Sequence, residues 1–211
     1  MRIKNKIKKN LKVLRITWKE LKYSFKNTLL FGTLLALYVF MFVTLYDPDL
    51  FGDFAELAES YPEALSDMVG GQLILAEFGG FMNVYMFSMA WLYYGFYFVI
   101  KSSQDIPKEI EGKTIDIILS KPIRRWEFFL GKYLKYIVTA AIIVIISYIS
   151  LILSSIWLPN VDPAEVYYDE ITLAFLWMYL FLVTLISTSM LFSSFLDPKK
   201  SISVSLVFFI I

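Results

Sequence analysis

The residues able to do chemistry are few in kind. In 211 residues there is no Cys and no His, which removes the usual zinc ligand sets, a disulfide framework, a thiol nucleophile and a His-based triad. Gly112-Lys113-Thr114 resembles the end of a phosphate-binding loop, in which backbone N–H groups and a lysine cradle phosphates. The full pattern needs a glycine at position 107, where Pro107 stands, and a buried strand before it. The tripeptide is therefore read as coincidence, and the chain as binding no ATP. Met82, Met86 and Met89 fall on one face of a helix, and thioethers ligate Cu(I), but Met without Cys or His beside it more often fills gaps in a core. Ser147, Ser150, Ser154, Ser155, Thr184, Ser187, Thr188, Ser189, Ser193 and Ser194 lie in apolar surroundings. Small and hydroxyl residues let helices approach and bond across the contact, so packing is the preferred reading over a polar path.

The elements that must position these groups are membrane elements. Hydrophobic residues make up 58%, aromatics 18% and charged residues only 18%, against roughly half apolar in an average soluble chain. A bilayer core of about 30 Å needs about 20 apolar residues in a helix. Thr28 to Tyr46, Phe81 to Ile100, Tyr136 to Leu158 and Ile171 to Leu196 satisfy this without one Asp, Glu, Lys or Arg. A fifth stretch, Ser201 to Ile211, is apolar but short and reads as a helix cut partway. The expected fold is an all-α polytopic membrane helix bundle with four complete spans and a truncated fifth, from a chain that continues past its last residue.

Charge separates by segment. Residues 1–27 hold ten basic groups and one acid, Glu20; residues 47–80 hold eight acids and no basic group; residues 101–135 hold eight basic groups and five acids. Residues 159–170 carry four acids and no Lys or Arg, and the turn from Asp197 to Lys200 carries two Lys. Lys and Arg near span ends stay on the cytoplasmic side, so the N-terminus, the 101–135 segment and the 197–200 turn are expected inside. The two acidic loops face out. Short helices are expected in the 47–80 loop, starting near Ser60-Tyr61-Pro62-Glu63.

Within residues 1–27, Ile3, Ile7, Leu11, Leu14, Trp18, Leu21 and Phe25 recur at steps of four and three, drawing one apolar stripe along a helix. Such a helix lies in the cytoplasmic interface, with Trp18, Lys19, Lys22 and Lys26 near the head groups of membrane lipids. A secretory signal does not fit, because Asp47-Pro48-Asp49 follows the apolar run where small residues would be needed. The stripe leading into a span argues against a nucleic-acid-binding arm.

The 101–135 segment is longer than a bare connection requires. Ile106, Ile110, Ile117 and Ile118 share one side of a helical stretch, Ser120-Lys121-Pro122 breaks it, and a second helix carries Trp126, Phe129, Leu130, Tyr133, Leu134 and Ile137 into the third span. Two short helices meeting at a proline make a compact knob with a docking surface.

From Ile110 to Lys132 the order of residues resembles the signature of ABC-2 type transporter permeases. That signature runs acid, Gly-Thr, an aliphatic-acidic-aliphatic run, Ser or Thr, Pro, Arg, Glu, aliphatic residues and Gly-Lys, and it falls between the second and third spans. Here the Gly-Thr pair is opened to Gly112-Lys113-Thr114. The resemblance implies about six spans in the full protein, a second permease copy, and separate cassette ATPase subunits carrying ATP and Mg. The chain itself would hold no cofactor and no catalytic residue. Coupling would fall to Glu109, Glu111, Gly112, Thr114, Asp116, Pro122, Arg124, Arg125 and Glu127, with residues 101–125 as the lever. The expected function is export across the cytoplasmic membrane of a prokaryotic cell. Two other classes compete: a structural subunit that recruits a cytoplasmic partner without transport, and a membrane-embedded hydrolase. The hydrolase needs a nucleophile with an activating base, and the spans offer no His, Lys, Asp or Glu.

Overall fold

The computed structural model describes residues 2–48, 78–115, 120, 123–159, 161 and 166–210, with side chains from Lys12 onward. Every regular element among them is helical. Helix α1 runs Arg2–Leu45, α2 Phe78–Phe81, α3 Ser88–Glu111, α4 Arg125–Trp157, α5 Tyr168–Ser193 and α6 Pro198–Ile210, and a π-helical segment, Met82–Phe87, joins α2 to α3. Most of the 47–80 loop, including the helix start expected at Ser60, lies outside the described residues, as do Asp116 and Pro122.

Among the described residues three helices are long and apolar enough to cross a membrane: Lys12–Leu45, Arg125–Trp157 and Tyr168–Ser193. The stretch from Phe81 to Ile100 is helical throughout but does not form one α-helix. The π-helical segment divides its apolar run, and α3 continues past it into Lys101, Asp105, Lys108, Glu109 and Glu111. Nor does a helix end mark the passage from the basic N-terminal stretch to the first apolar run, since α1 is continuous through both.

The chain resolves into two compact units. In the unit formed by Leu30–Trp91 and Ile143–Met178, aromatic and hydroxyl contacts hold the helices together. Tyr46 packs edge-on to Phe78 with ring centroids 5.3 Å apart, and Phe87 and Tyr148 both meet Phe175. Ser150 Oγ donates to the Ala36 carbonyl at 2.8 Å, binding α4 to α1. The π-helical segment has its own support: Tyr38 Oη donates to the Met86 carbonyl at 3.3 Å, supplying a polar partner where the α-helical register is broken.

The unit formed by Met1–Leu29, Leu92–Ile142 and Tyr179–Ile211 packs around two close approaches. A Cβ on Gly131 would lie 2.6 Å from Ile16 Cγ2, so only glycine lets α4 sit this near α1. Thr17 Oγ1 uses that proximity to donate to the Gly131 carbonyl at 3.0 Å. Gly95 meets the Phe209 ring of α6, beside Val99 and Leu185.

Pro107 lies inside α3 without ending it. Proline has no N–H to give the carbonyl four residues back, and that carbonyl, on Ser103, instead accepts a bond from Ser201 Oγ of α6 at 2.8 Å. Both serines are buried. The knob expected between 101 and 135 accordingly has a different construction. Its second helix is the start of α4, running on into the third apolar run as the spacing implies, but its first is the end of the long α3 rather than a short separate helix. The helix stops at Gly112-Lys113, where Lys113 adopts φ 53°, and helical structure resumes at Thr114 and Ile115.

Candidate functional site

The strongest polar assembly lies where α1, α3 and α4 meet. Asp105 and Glu109 are four residues apart and so share one face of α3, while Lys132 and Lys135, three apart, share one face of α4. Lys132 Nζ reaches Glu109 Oε1 at 2.7 Å, Asp105 Oδ1 at 3.2 Å and Glu20 Oε2 of α1 at 4.0 Å. Lys135 Nζ donates to Asp105 Oδ2 at 3.0 Å and stands 3.8 Å from Glu20 Oε2. The Lys132 side chain is fully buried, and Phe128 lies under its ammonium at 5.3 Å. Tyr136 Oη donates to the Lys101 carbonyl at 2.9 Å, adding a neutral rung between the same two helices.

Three carboxylates share two ammoniums, and the consequence is uneven. Burial pushes the Asp105 carboxyl up, but Lys135 and Lys132 together outweigh it and hold the group below the ordinary carboxylate value. Glu109 goes the other way. Burial raises it, Lys132 only partly offsets this, and the like charges of Asp105 and Glu20 add to the rise. Its second oxygen, Oε2, is buried with no hydrogen-bond partner among the described residues. An ion pair this dry is a weak source of net stability but costs heavily when one partner is removed. What it secures is geometry, fixing three helices in one register.

The residues expected from sequence to couple with a partner divide into two groups. Glu109 is turned inward to Lys132. Glu127 is also internal: it is buried, and its Oε2 accepts the Arg124 backbone N–H at 3.0 Å. This is the reciprocal half of a capping box, satisfying a donor at the start of α4. Glu111, Gly112, Thr114, Arg124 and Arg125 are exposed around the end of α3 and the start of α4. Thr114 Oγ1 donates to the Glu109 carbonyl at 3.1 Å and Gly112 N–H to the Lys108 carbonyl at 2.9 Å, closing the end of α3. Asp116 and Pro122 fall outside the described residues.

On α1 the residues expected at the membrane interface, Trp18, Lys19, Lys22 and Lys26, are all exposed, Trp18 at 73%. Leu14 and Phe25 of the apolar stripe are exposed with it, whereas Val13, Thr17 and Thr28 face inward. The three methionines do not share a face: Met82 and Met86 are buried and Met89 is half exposed. The π-helical segment alters the period on which the sequence reading relied. The span hydroxyls mostly return to their own helices, as Ser147 does to the Ile143 carbonyl and Thr184 to the Leu180 carbonyl. A few cross between helices, Tyr133 to Ser187 at 2.9 Å among them. That is the packing use.

The residues missing from the sequence-based site are Lys132, Lys135, Asp105 and Glu20. A signal for one of them, Lys132, was present. Gly131-Lys132 ends the signature that begins at Ile110, and the structure shows what each residue does there: the glycine admits α1, and the lysine gathers acids from α1 and α3.

No curated protein and no solved structure matches the chain. The family model described as ABC-2 family transporter protein matches residues 14–211, which takes in the ionic cluster, the signature and every apolar helix. With its apolar helices and that match over nearly its whole length, the chain is a multi-pass membrane protein and belongs to the ABC-2 transporter family as a membrane permease.

Proposed function

We propose that this permease is the membrane half of an ATP-driven exporter in the cytoplasmic membrane of a prokaryotic cell, with its N-terminus inside and the Phe81 to Ile100 stretch crossing as a fourth span. The charge asymmetry of the connections supports that orientation. Two copies pair, and separate cassette ATPase subunits, which hold ATP and Mg, dock on the cytoplasmic segment between α3 and α4. The chain supplies no catalytic group. Glu111, Gly112, Thr114, Asp116, Pro122, Arg124 and Arg125 form the docking face, while Glu109 and Glu127 keep that face rigid from within.

The observation that carries this reading is the ionic cluster. A push on the residues after Glu111 reaches α3 and α4 at their ends, and Lys132 with Lys135 ties both to each other and to Glu20 of α1. Force is thus delivered to three helices as one body instead of being lost in a pliant loop. The test is copurification with a coexpressed cassette ATPase. Replacing residues 112–124 by a Gly-Ser segment of equal length should abolish it, and an ATPase that still copurifies would defeat the docking role. The purified permease alone should hydrolyse no ATP.

A further inference from the structure

The residues Met82–Phe87 are π-helical inside an otherwise α-helical run, and π turns of this kind are rare and concentrate at functional positions. A π turn holds one residue more than an α turn, so its N–H groups reach back five residues instead of four. Ser88 N–H accordingly donates to the Asn83 carbonyl. The Val84 carbonyl, which α-helical bonding would give to that N–H, accepts the hydroxyl of the same serine. A second hydroxyl comes from α1: Tyr38 Oη donates to the Met86 carbonyl at 3.3 Å, its ring steadied edge-on by Phe42 at 4.9 Å. The two buried side chains of the segment, Met82 and Met86, are both methionines, flexible thioethers that fill irregular gaps and tolerate repacking. On the outer flank Phe78 and Phe81 pack against Tyr46 with ring centroids 5.3 Å away in each case, while a Cβ on Gly79 would meet nothing within 4 Å. On the inner flank Phe87 meets Phe175, and α3 runs unbroken from Ser88 to Glu111.

We infer that Met82–Phe87 is a register switch that exchanges between π and α bonding, with the Tyr38 hydroxyl as the catch that holds the π state. The exchange is short in atomic terms. Ser88 N–H leaves the Asn83 carbonyl for the Val84 carbonyl, where the serine's own hydroxyl already stands, so one hydrogen bond is broken and one is made. The extra residue is passed to a flank, which moves by one position, about 1.5 Å along the helix axis and about 100° around it. The buried methionines accommodate that rotation, and the open side of Gly79 leaves the outer flank room to turn. A fixed irregularity would be held better by stiff, branched side chains at those two positions. In the permease the switch lets α3 turn or slide under load without pulling Phe78 and Phe81 away from Tyr46.

The load on α3 rests on the docking reading proposed above, whereas the switch is tested on the purified full chain without an ATPase, so the two fail separately. The methionine methyl groups are labelled with carbon-13 and observed by NMR in detergent for the unaltered chain, for Tyr38→Phe and for a chain with Val84 deleted. Removing one residue from a π turn leaves an α turn with both flanks in place, so the deletion chain supplies the reference for the α state. In the unaltered chain the Met82 and Met86 signals should show exchange on the microsecond to millisecond scale, and those of Met178 and Met190, buried in α5, should not. Tyr38→Phe removes one hydrogen bond from the π state, so it should raise the α population about fivefold and move both signals toward their positions in the deletion chain. The deletion chain should unfold within about 4 °C of the unaltered one. Met82 and Met86 signals without exchange, Tyr38→Phe signals that stay in place or move away from the deletion chain's, or a deletion chain that does not fold, showing the α register to be closed to it, would each overturn the switch.

Discussion

Replacing Lys132 by Met removes the fully buried ammonium that three acids share and keeps most of the side chain's volume. Glu109 then loses its 2.7 Å partner and Asp105 its 3.2 Å partner, leaving Lys135 as the one cation against three carboxylates. Breaking a buried pair by removing one member costs about 3–5 kcal/mol. The three acids keep about a fifth of their side-chain surface in contact with solvent, and Glu109, with its carboxyl already pushed up by burial, takes a proton readily. The loss therefore falls at the lower end, about 3 kcal/mol. The assay is unfolding of the purified chain in detergent micelles, by heat and by denaturant, for Lys132→Met, Glu109→Gln and the two combined. The double variant should lose less than the sum of the singles, with a coupling of about 2 kcal/mol, because Glu109→Gln discharges the acid that Lys132→Met strands. A Lys132→Met chain within about 0.5 kcal/mol of the unaltered one, or strict additivity in the cycle, would refute the view that the cluster sets the register of α1, α3 and α4.

Ser201→Ala should destabilise by about 1–2 kcal/mol by leaving the Ser103 carbonyl buried without a donor, and Pro107→Ala in the same chain should recover most of it by restoring an N–H in α3; chemical denaturation of the four members of that cycle checks this. Lys113→Gly should stabilise by about 1 kcal/mol, because the lysine stands in the left-handed region where a side chain is penalised, and Lys113→Val should do the reverse. The pH dependence of the unfolding midpoint should show two opposed limbs. Glu109 has its carboxyl raised, so the folded chain binds its proton first, and stability rises as pH falls from neutral through that raised value. Asp105 is held below the ordinary range, so its contribution is intact above that range and is lost as pH falls through the lowered value. Glu109→Gln should flatten the first limb and Asp105→Asn the second, and a profile unchanged by either would contradict the assignment of shifts.

The apolar helices were legible because their signal is local: a long run without charge becomes a helix whatever else the chain does. The hydroxyl residues could likewise be read as packing groups from their small size and apolar neighbours. The site was legible only in part. Asp105 and Glu109 precede Lys132 and Lys135 by more than twenty positions, and in sequence the four look like ordinary members of a mixed-charge segment. Only the folded hairpin reveals that they face one another. A like-charged pair at a four-residue step on α3, followed by a basic pair at a three-residue step among Phe128, Phe129, Tyr133 and Tyr136, was the pattern to notice. Charge alone does not tell a docking group from a helix-start cap, as at Glu127, or from a counter-ion turned inward, as at Glu109. The π-helical segment left no mark in the hydrophobic pattern at all. Pro107, which would ordinarily mark a helix end, is carried through α3 by a hydroxyl that arrives from a helix almost a hundred residues later.

The order of the charges along the chain imposes an order of assembly. Glu20, Asp105 and Glu109 leave the ribosome before either of the lysines that neutralise them, and synthesis proceeds from the N-terminus at about 5–20 residues per second. For about 1–5 seconds the nascent chain holds an acidic trio whose counter-ions have not yet been made. The junction of α1 with α3 is thus completed only when α4 is inserted. Biogenesis of this permease turns on the arrival of one late hairpin arm, and translation halted before Lys132 should leave its earlier helices threaded but unjoined.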